Sequence, residues 1–142
     1  MDKDCWLQQI DYISKFFKET TGFSFYFETD EESRAELYTE SIYVNSRLHP
    51  EKKFYTALHE IGHVIIYENS DQFDRDYPMY VNPENYRNWG SKKHRVSVVA
   101  EEIEAWKHGR QLARDLDLFI DDLKYDKLMT ECVMSYLVWA AA

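Results

Sequence analysis

The sequence of 142 residues is poor in cysteine, proline and glycine, with two, three and four of each. Cys5 and Cys132 stand near opposite ends, each in an amphipathic helical pattern, and neither belongs to a C-x-x-C pair. That excludes a disulfide-dense scaffold and points to two thiols in a reducing compartment. Positive charge is also scarce. Seventeen Lys and Arg face 26 Asp and Glu, for a net charge of −9. The acids are spread along the chain, which argues against nucleic-acid binding and favours solubility. No stretch approaches 18 apolar residues, so no membrane span is expected. Met1-Asp2-Lys3-Asp4 lacks the basic region and apolar run of a signal peptide, and the expected location is the cytoplasm. There is no internal repeat and no low-complexity segment.

What the chain does have is apolar and aromatic mass. It is 44% hydrophobic and 16% aromatic, with eleven Tyr and four Trp. That suffices for the core of one domain over residues 1–142, and some of the tyrosines are expected to line a cleft or a contact surface. Trp6, Ile10, Ile13 and Phe17 recur at helical spacing and predict a helix over 4–19, ended by Thr21-Gly22. Phe23 to Phe27 reads as a strand, Asp30 to Ser33 as a turn, and 36–45 as one or two strands. His49-Pro50-Glu51 opens a helix that runs to about Glu68. Residues 69–95, with Pro78, Pro83, Gly90, Phe73, Tyr77, Tyr80, Tyr86 and Trp89, show no period and read as a long aromatic insertion loop. A second strong helix follows over 96–116. Asp121-Asp122 then caps a last helix that buries Leu128, Met129, Cys132, Tyr136 and Leu137.

Within the helix beginning at Pro50 lies His59-Glu60-Ile61-Gly62-His63, the H-E-x-x-H pattern of zinc metallopeptidases. Positions i and i+4 share one helix face, so both imidazoles can turn to one metal ion. Glu60, about 100° round, can reach a water that such a metal activates and accept its proton. Phe54, Ala57, Leu58, Ile61, Val64 and Ile65 fall between about 140° and 260° from His59. The core stripe is thus opposite the histidines, which face a cleft. Two surface histidines four residues apart by chance fit this arrangement poorly.

A catalytic zinc site needs three protein ligands. Glu101, Glu102 and Glu104 are the candidates for the third. On an ideal helix Glu102 lies within the stripe of Val98, Val99, Ala105, Trp106, Gly109 and Ala113, whereas Glu101 and Glu104 are turned toward the polar face. A carboxylate among apolar residues needs a partner, and a metal ion is one. Glu102 is therefore the expected ligand, with a buried Arg or Lys as the competing partner and Glu101 or Glu104 as alternative ligands. Ala105 and Gly109 would let this helix approach the histidine helix closely. His108 is expected on the wet face. For a donor to the developing oxyanion, the long loop offers Tyr77, Tyr80, Tyr86, Arg87, His94 and Arg95, and the sequence does not choose among them. Arg87, Lys92, Lys93 and Arg95 form a small basic patch that either grips an acidic substrate or pairs with the chain's own acids.

With these residues in place, the chain resembles the ImmA/IrrE family of small zinc-dependent peptidases over roughly residues 40–116. Ile42-Tyr43-Val44-Asn45 is similar to the family's edge strand, Phe54 to Leu58 to its lead-in to H-E-x-G-H, and Glu102-Ile103-Glu104-Ala105 to its E-x-E-A segment. The resemblance implies an α+β zincin-like fold, with a short sheet, an H-E-x-x-H helix and a later Glu-bearing helix. It also implies Zn²⁺ on His59, His63 and Glu102, with Glu60 as base, and limited proteolysis of a regulatory protein such as a repressor of a mobile element or stress response. A phage or mobile-element source would fit. The rival expectation is a non-catalytic binding protein of the same fold that sequesters a partner. An intact Glu60 speaks against it, because a purely structural site needs no base.

Overall fold

The computed structural model describes residues 1–30, 32–77 and 91–142. The elements run α1 (Lys3–Thr21), β1 (Ser24–Glu28), β2 (Arg34–Glu36), β3 (Ser41–Asn45), α2 (Pro50–Glu68), α3 (Ser70–Asp76), α4 (Lys92–Asp115) and α5 (Asp122–Ala141). The class is α+β, as expected, with a small three-stranded sheet among helices.

Local chemistry sets most of the boundaries. Asp2 caps α1 by accepting the Cys5 amide, and Gly22, at φ 87°, ends it in the left-handed conformation that glycine adopts without strain. Pro50 occupies the first turn of α2, where its missing N–H costs nothing. Ser91 caps α4 and Asp121 caps α5. The segment 36–45, read as one or two strands, falls across two: β2 ends at Glu36 and β3 begins at Ser41.

The sheet order is β1-β3-β2. Strand β3 pairs parallel with β1 (Phe25 opposite Ile42) and antiparallel with β2 (Ala35 opposite Ile42). Alternation along β3 sends Ile42 and Val44 into the core, and Tyr43 to the outer face, where it stacks on Tyr26. This leaves β2 as an edge strand above α2.

Helices α2 and α4 lie unusually close. A Cβ added to Gly62 would sit 1.8 Å from the Ala105 carbonyl oxygen, and one on Gly109 would sit 2.2 Å from that of Leu58. The expected close approach at Ala105 and Gly109 is therefore present, with Gly62 as its counterpart. A run of rings braces the pair from behind. Trp6 meets Tyr55 edge-on, Tyr55 meets Tyr125, and Tyr125 meets Trp106. The Tyr125 hydroxyl donates to the Trp106 carbonyl and ties α5 to α4.

Three expectations need correction. Residues 70–76, read as part of an aperiodic loop, form α3. With seven residues and only Phe73 buried, the helix is too short to show a period. Helix α4 starts at Lys92 rather than 96, because Ser91 supplies the cap. In α5 it is Tyr125 that is fully buried. Leu128, Met129, Cys132 and Tyr136 are half-buried, and Leu137 is exposed. Pro78, Tyr80, Pro83, Tyr86, Arg87, Trp89 and Gly90 lie outside the described residues. Both cysteines are free. Among the described residues, no helix is long and apolar enough to cross a membrane.

Candidate metal centre

The two histidines project from α2 into a cleft of about 790 Å³, bounded by β2, α2, α3, α4 and α5. The core stripe behind them puts Phe54, Ala57, Leu58, Ile61 and Val64 at zero exposure, which fixes the rotation of α2. Across the cleft, the close packing at Gly62 and Gly109 brings Glu102 of α4 against both imidazoles. His59 Nε2 is 2.8 Å from Glu102 Oε2, His63 Nε2 is 3.1 Å from Glu102 Oε1, and the two Nε2 atoms are 3.1 Å apart. Ligand atoms of the three residues all lie within 4.8 Å of one another, so the group could hold a metal ion.

The donor set fits such an ion. Zn²⁺ binds nitrogen and oxygen at about 2.0–2.1 Å, which separates tetrahedral donors by roughly 3.3 Å. The observed spacings are a few tenths of an ångström shorter and need only a small outward adjustment. Burial alone would raise the Glu102 carboxyl. Hydrogen bonds from His59 and His63 outweigh it and hold the group down at about 2. Burial alone would lower His63, but Glu101 and Glu102 raise it to about 10. Without metal, the site is thus held together as a carboxylate–imidazolium cluster.

Glu60 is 6% exposed and stands 3.5 Å from His59 Nδ1 through Oε1. Burial raises its pKa above the ordinary carboxylate range, partly opposed by the two histidines. Of the three glutamates on α4, Glu102 alone meets both histidines. Glu104 is turned away, 4.0 Å from the half-exposed His108. Glu101 departs from its expected wet position, for its Oε1 lies 3.3 Å from His63 Nδ1, on the far side of that ring from Glu102. A carboxylate there fixes a metal-bound imidazole's tautomer and orientation.

Three neighbours carry little signal in the sequence. Trp106, one turn beyond Glu102, stacks on His59 at 4.2 Å and 7° and seats that ring. The i, i+4 spacing from Glu102 is a cue for it. Cys132 and Tyr136 reach the cleft from α5. Only tertiary packing brings them there. The loop residues considered as oxyanion donors do not line this cleft where they are described. Tyr77 packs on Phe73, His94 is buried in the first turn of α4, and Arg95 binds the Trp139 and Ala142 carbonyls beside the Trp139 ring. Arg95 of the basic patch thus pairs within the chain itself.

Comparison with known families matches residues 10–88 to the IrrE N-terminal-like domain of peptidase family M78. The match spans more than half of the chain and takes in α2 with both histidines. The chain belongs to this peptidase family. No curated protein and no solved structure gave a match. In this M78 domain the match stops short of α4, so the placing of Glu102 rests on the geometry above.

Proposed function

We propose that the chain is a zinc-dependent metallopeptidase that hydrolyses a peptide bond in a protein substrate. The convergence of His59, His63 and Glu102 across a cleft, with a buried carboxylate beside them, carries the proposal. Membership of a peptidase family supports it. The two Nε2 atoms and the Glu102 carboxylate would hold the ion. Bound there, zinc supplies Lewis acidity to the scissile carbonyl and to the attacking water.

The protein's own part is orientation and proton transfer. Glu60 accepts the proton of the attacking water and passes it to the leaving amine as the C–N bond breaks. Its raised pKa suits a group that must both take and give a proton. Trp106 and Glu101 hold the two imidazoles in place. Among the described residues, the β2 edge and the cleft leave room for an extended chain segment. By resemblance, the substrate is a regulatory protein such as a repressor.

The test has two stages. Purified protein should hold close to one equivalent of zinc, and His59→Ala or His63→Ala should lose it. A wild-type protein that takes up no divalent metal when zinc is added back removes the site. Glu60→Gln should keep zinc and fold but lose about 10²–10⁴-fold in rate. A proteomic comparison of cells carrying wild type or Glu60→Gln would reveal the cleaved partner. A biological effect that survives Glu60→Gln would favour sequestration over cleavage.

A further inference from the structure

A peptidase of this kind needs a donor for the oxygen that gains negative charge as the scissile carbonyl becomes tetrahedral. Helix α5 lines the cleft beside the metal ligands. The Cys132 sulfur approaches Glu102 Oε2 at 3.9 Å, and Tyr136, one turn on and on the same helix face, lines the same cleft. The Tyr136 hydroxyl faces the Glu102 carboxylate. In the metal-free site that carboxylate is an acceptor within its reach. Its ring is half-buried and meets Trp139 edge-on at 6.5 Å, which limits its freedom. Arg34, another donor on the cleft, binds Glu36 and the Glu32 carbonyl.

We propose that Tyr136 is a catalytic residue whose phenol donates a hydrogen bond to the carbonyl oxygen as it turns into an oxyanion. This rests on the metallopeptidase reading. A metal held by His59, His63 and Glu102 would sit beside the Glu102 oxygens that the phenol faces. A carbonyl oxygen drawn to such a metal would come within reach of the same O–H. No proton is transferred. The donor already stands in the cleft before the charge forms, which is what makes such a bond effective. Removing one such donor typically lowers kcat by about 10²–10³.

The experiment uses the full chain loaded with zinc, and acetohydroxamate as a probe that places an anionic oxygen on an accessible metal whatever the peptide preference. Zinc affinity is measured separately by chelator competition, and folding by circular dichroism. Tyr136→Phe keeps the ring and its packing. The expected result is hydroxamate binding weakened by roughly 10–100-fold, with zinc affinity within about twofold of wild type. Equal hydroxamate binding by both proteins overturns the proposal. So does a loss confined to zinc affinity, because the phenol would then serve only Glu102. A wild-type protein that holds zinc but binds no hydroxamate overturns it as well. Failure to hold zinc at all is a different result, and it removes the metallopeptidase reading itself.

Discussion

Glu101, Glu102 and Glu104 are chemically alike and nearly adjacent, yet the helix gives each a different environment. Glu102 touches both histidines, Glu101 meets His63 at its outer nitrogen, and Glu104 pairs with His108. Three outcomes of a zinc titration follow. Glu102→Gln should weaken zinc sharply, because the amide is a poor ligand. Glu101→Ala should weaken it by about 10–100-fold, the usual cost of losing a partner that orients a ligand. Glu104→Gln should bind as wild type does. Equal losses for Glu102→Gln and Glu104→Gln would contradict the observed rotation of α4.

At the scale of elements, the site depends on how near α2 comes to α4. Gly62 lies inside the H-E-x-x-H motif, one residue before His63, and its missing side chain is what admits the Ala105 carbonyl. Gly109 does the same for Leu58. Gly62→Ala and Gly109→Ala would each drive a methyl group into backbone rather than into a movable side chain. Overpacking of this kind costs about 1–3 kcal/mol, sometimes more. Urea unfolding should show that loss for both, and zinc binding should weaken with it, since the separation of the helices sets the distance between Glu102 and the histidines. A Gly109→Ala variant with unchanged stability and zinc affinity would mean that the helices have slack. Helix α5 is the other element the site uses. It is moored by buried Tyr125, by Asp121 at its cap and by the Arg110–Asp126 ion pair.

For the molecule as a whole, a metal bound at this site would be linked to stability. In the metal-free protein, the raised His63 contributes stability that is complete below its ordinary value of 6.5 and is lost as pH rises through about 10. The depressed Glu102 contributes stability that is complete above its ordinary value of 4.5 and is lost as pH falls through about 2. Together they favour the fold most between 4.5 and 6.5, so metal-free protein should melt at progressively lower temperature from pH 6.5 to 10. In His63→Ala that part of the decline should be absent. Zinc that binds only the folded state should add about 4 kcal/mol at a thousandfold excess over Kd. Thermal melts with zinc and with chelator test both statements.

His59, Glu60 and His63 were legible in the sequence because their relation is local. Four residues of helix put two imidazoles on one face, whatever the rest of the chain does. The apolar stripe from Phe54 to Val64 told which face points inward, and the same periodicity selected Glu102 from three glutamates. The caps at Gly22 and Asp121 and the Pro50 start of α2 were legible for the same reason. Other features had no local signature. Helix α3 is too short to display a period. Glu101 reaches His63 because tight packing of α2 on α4 closes a gap that an ideal helical wheel does not represent. Tyr136 and Cys132 stand on a half-buried helix far along the chain, and their nearness to Glu102 exists only once α5 is anchored against α4 through Tyr125. Sequence periodicity determines which way a side chain turns from its own helix. The partner it meets there depends on contacts between residues far apart in the chain, and those form only in the folded molecule.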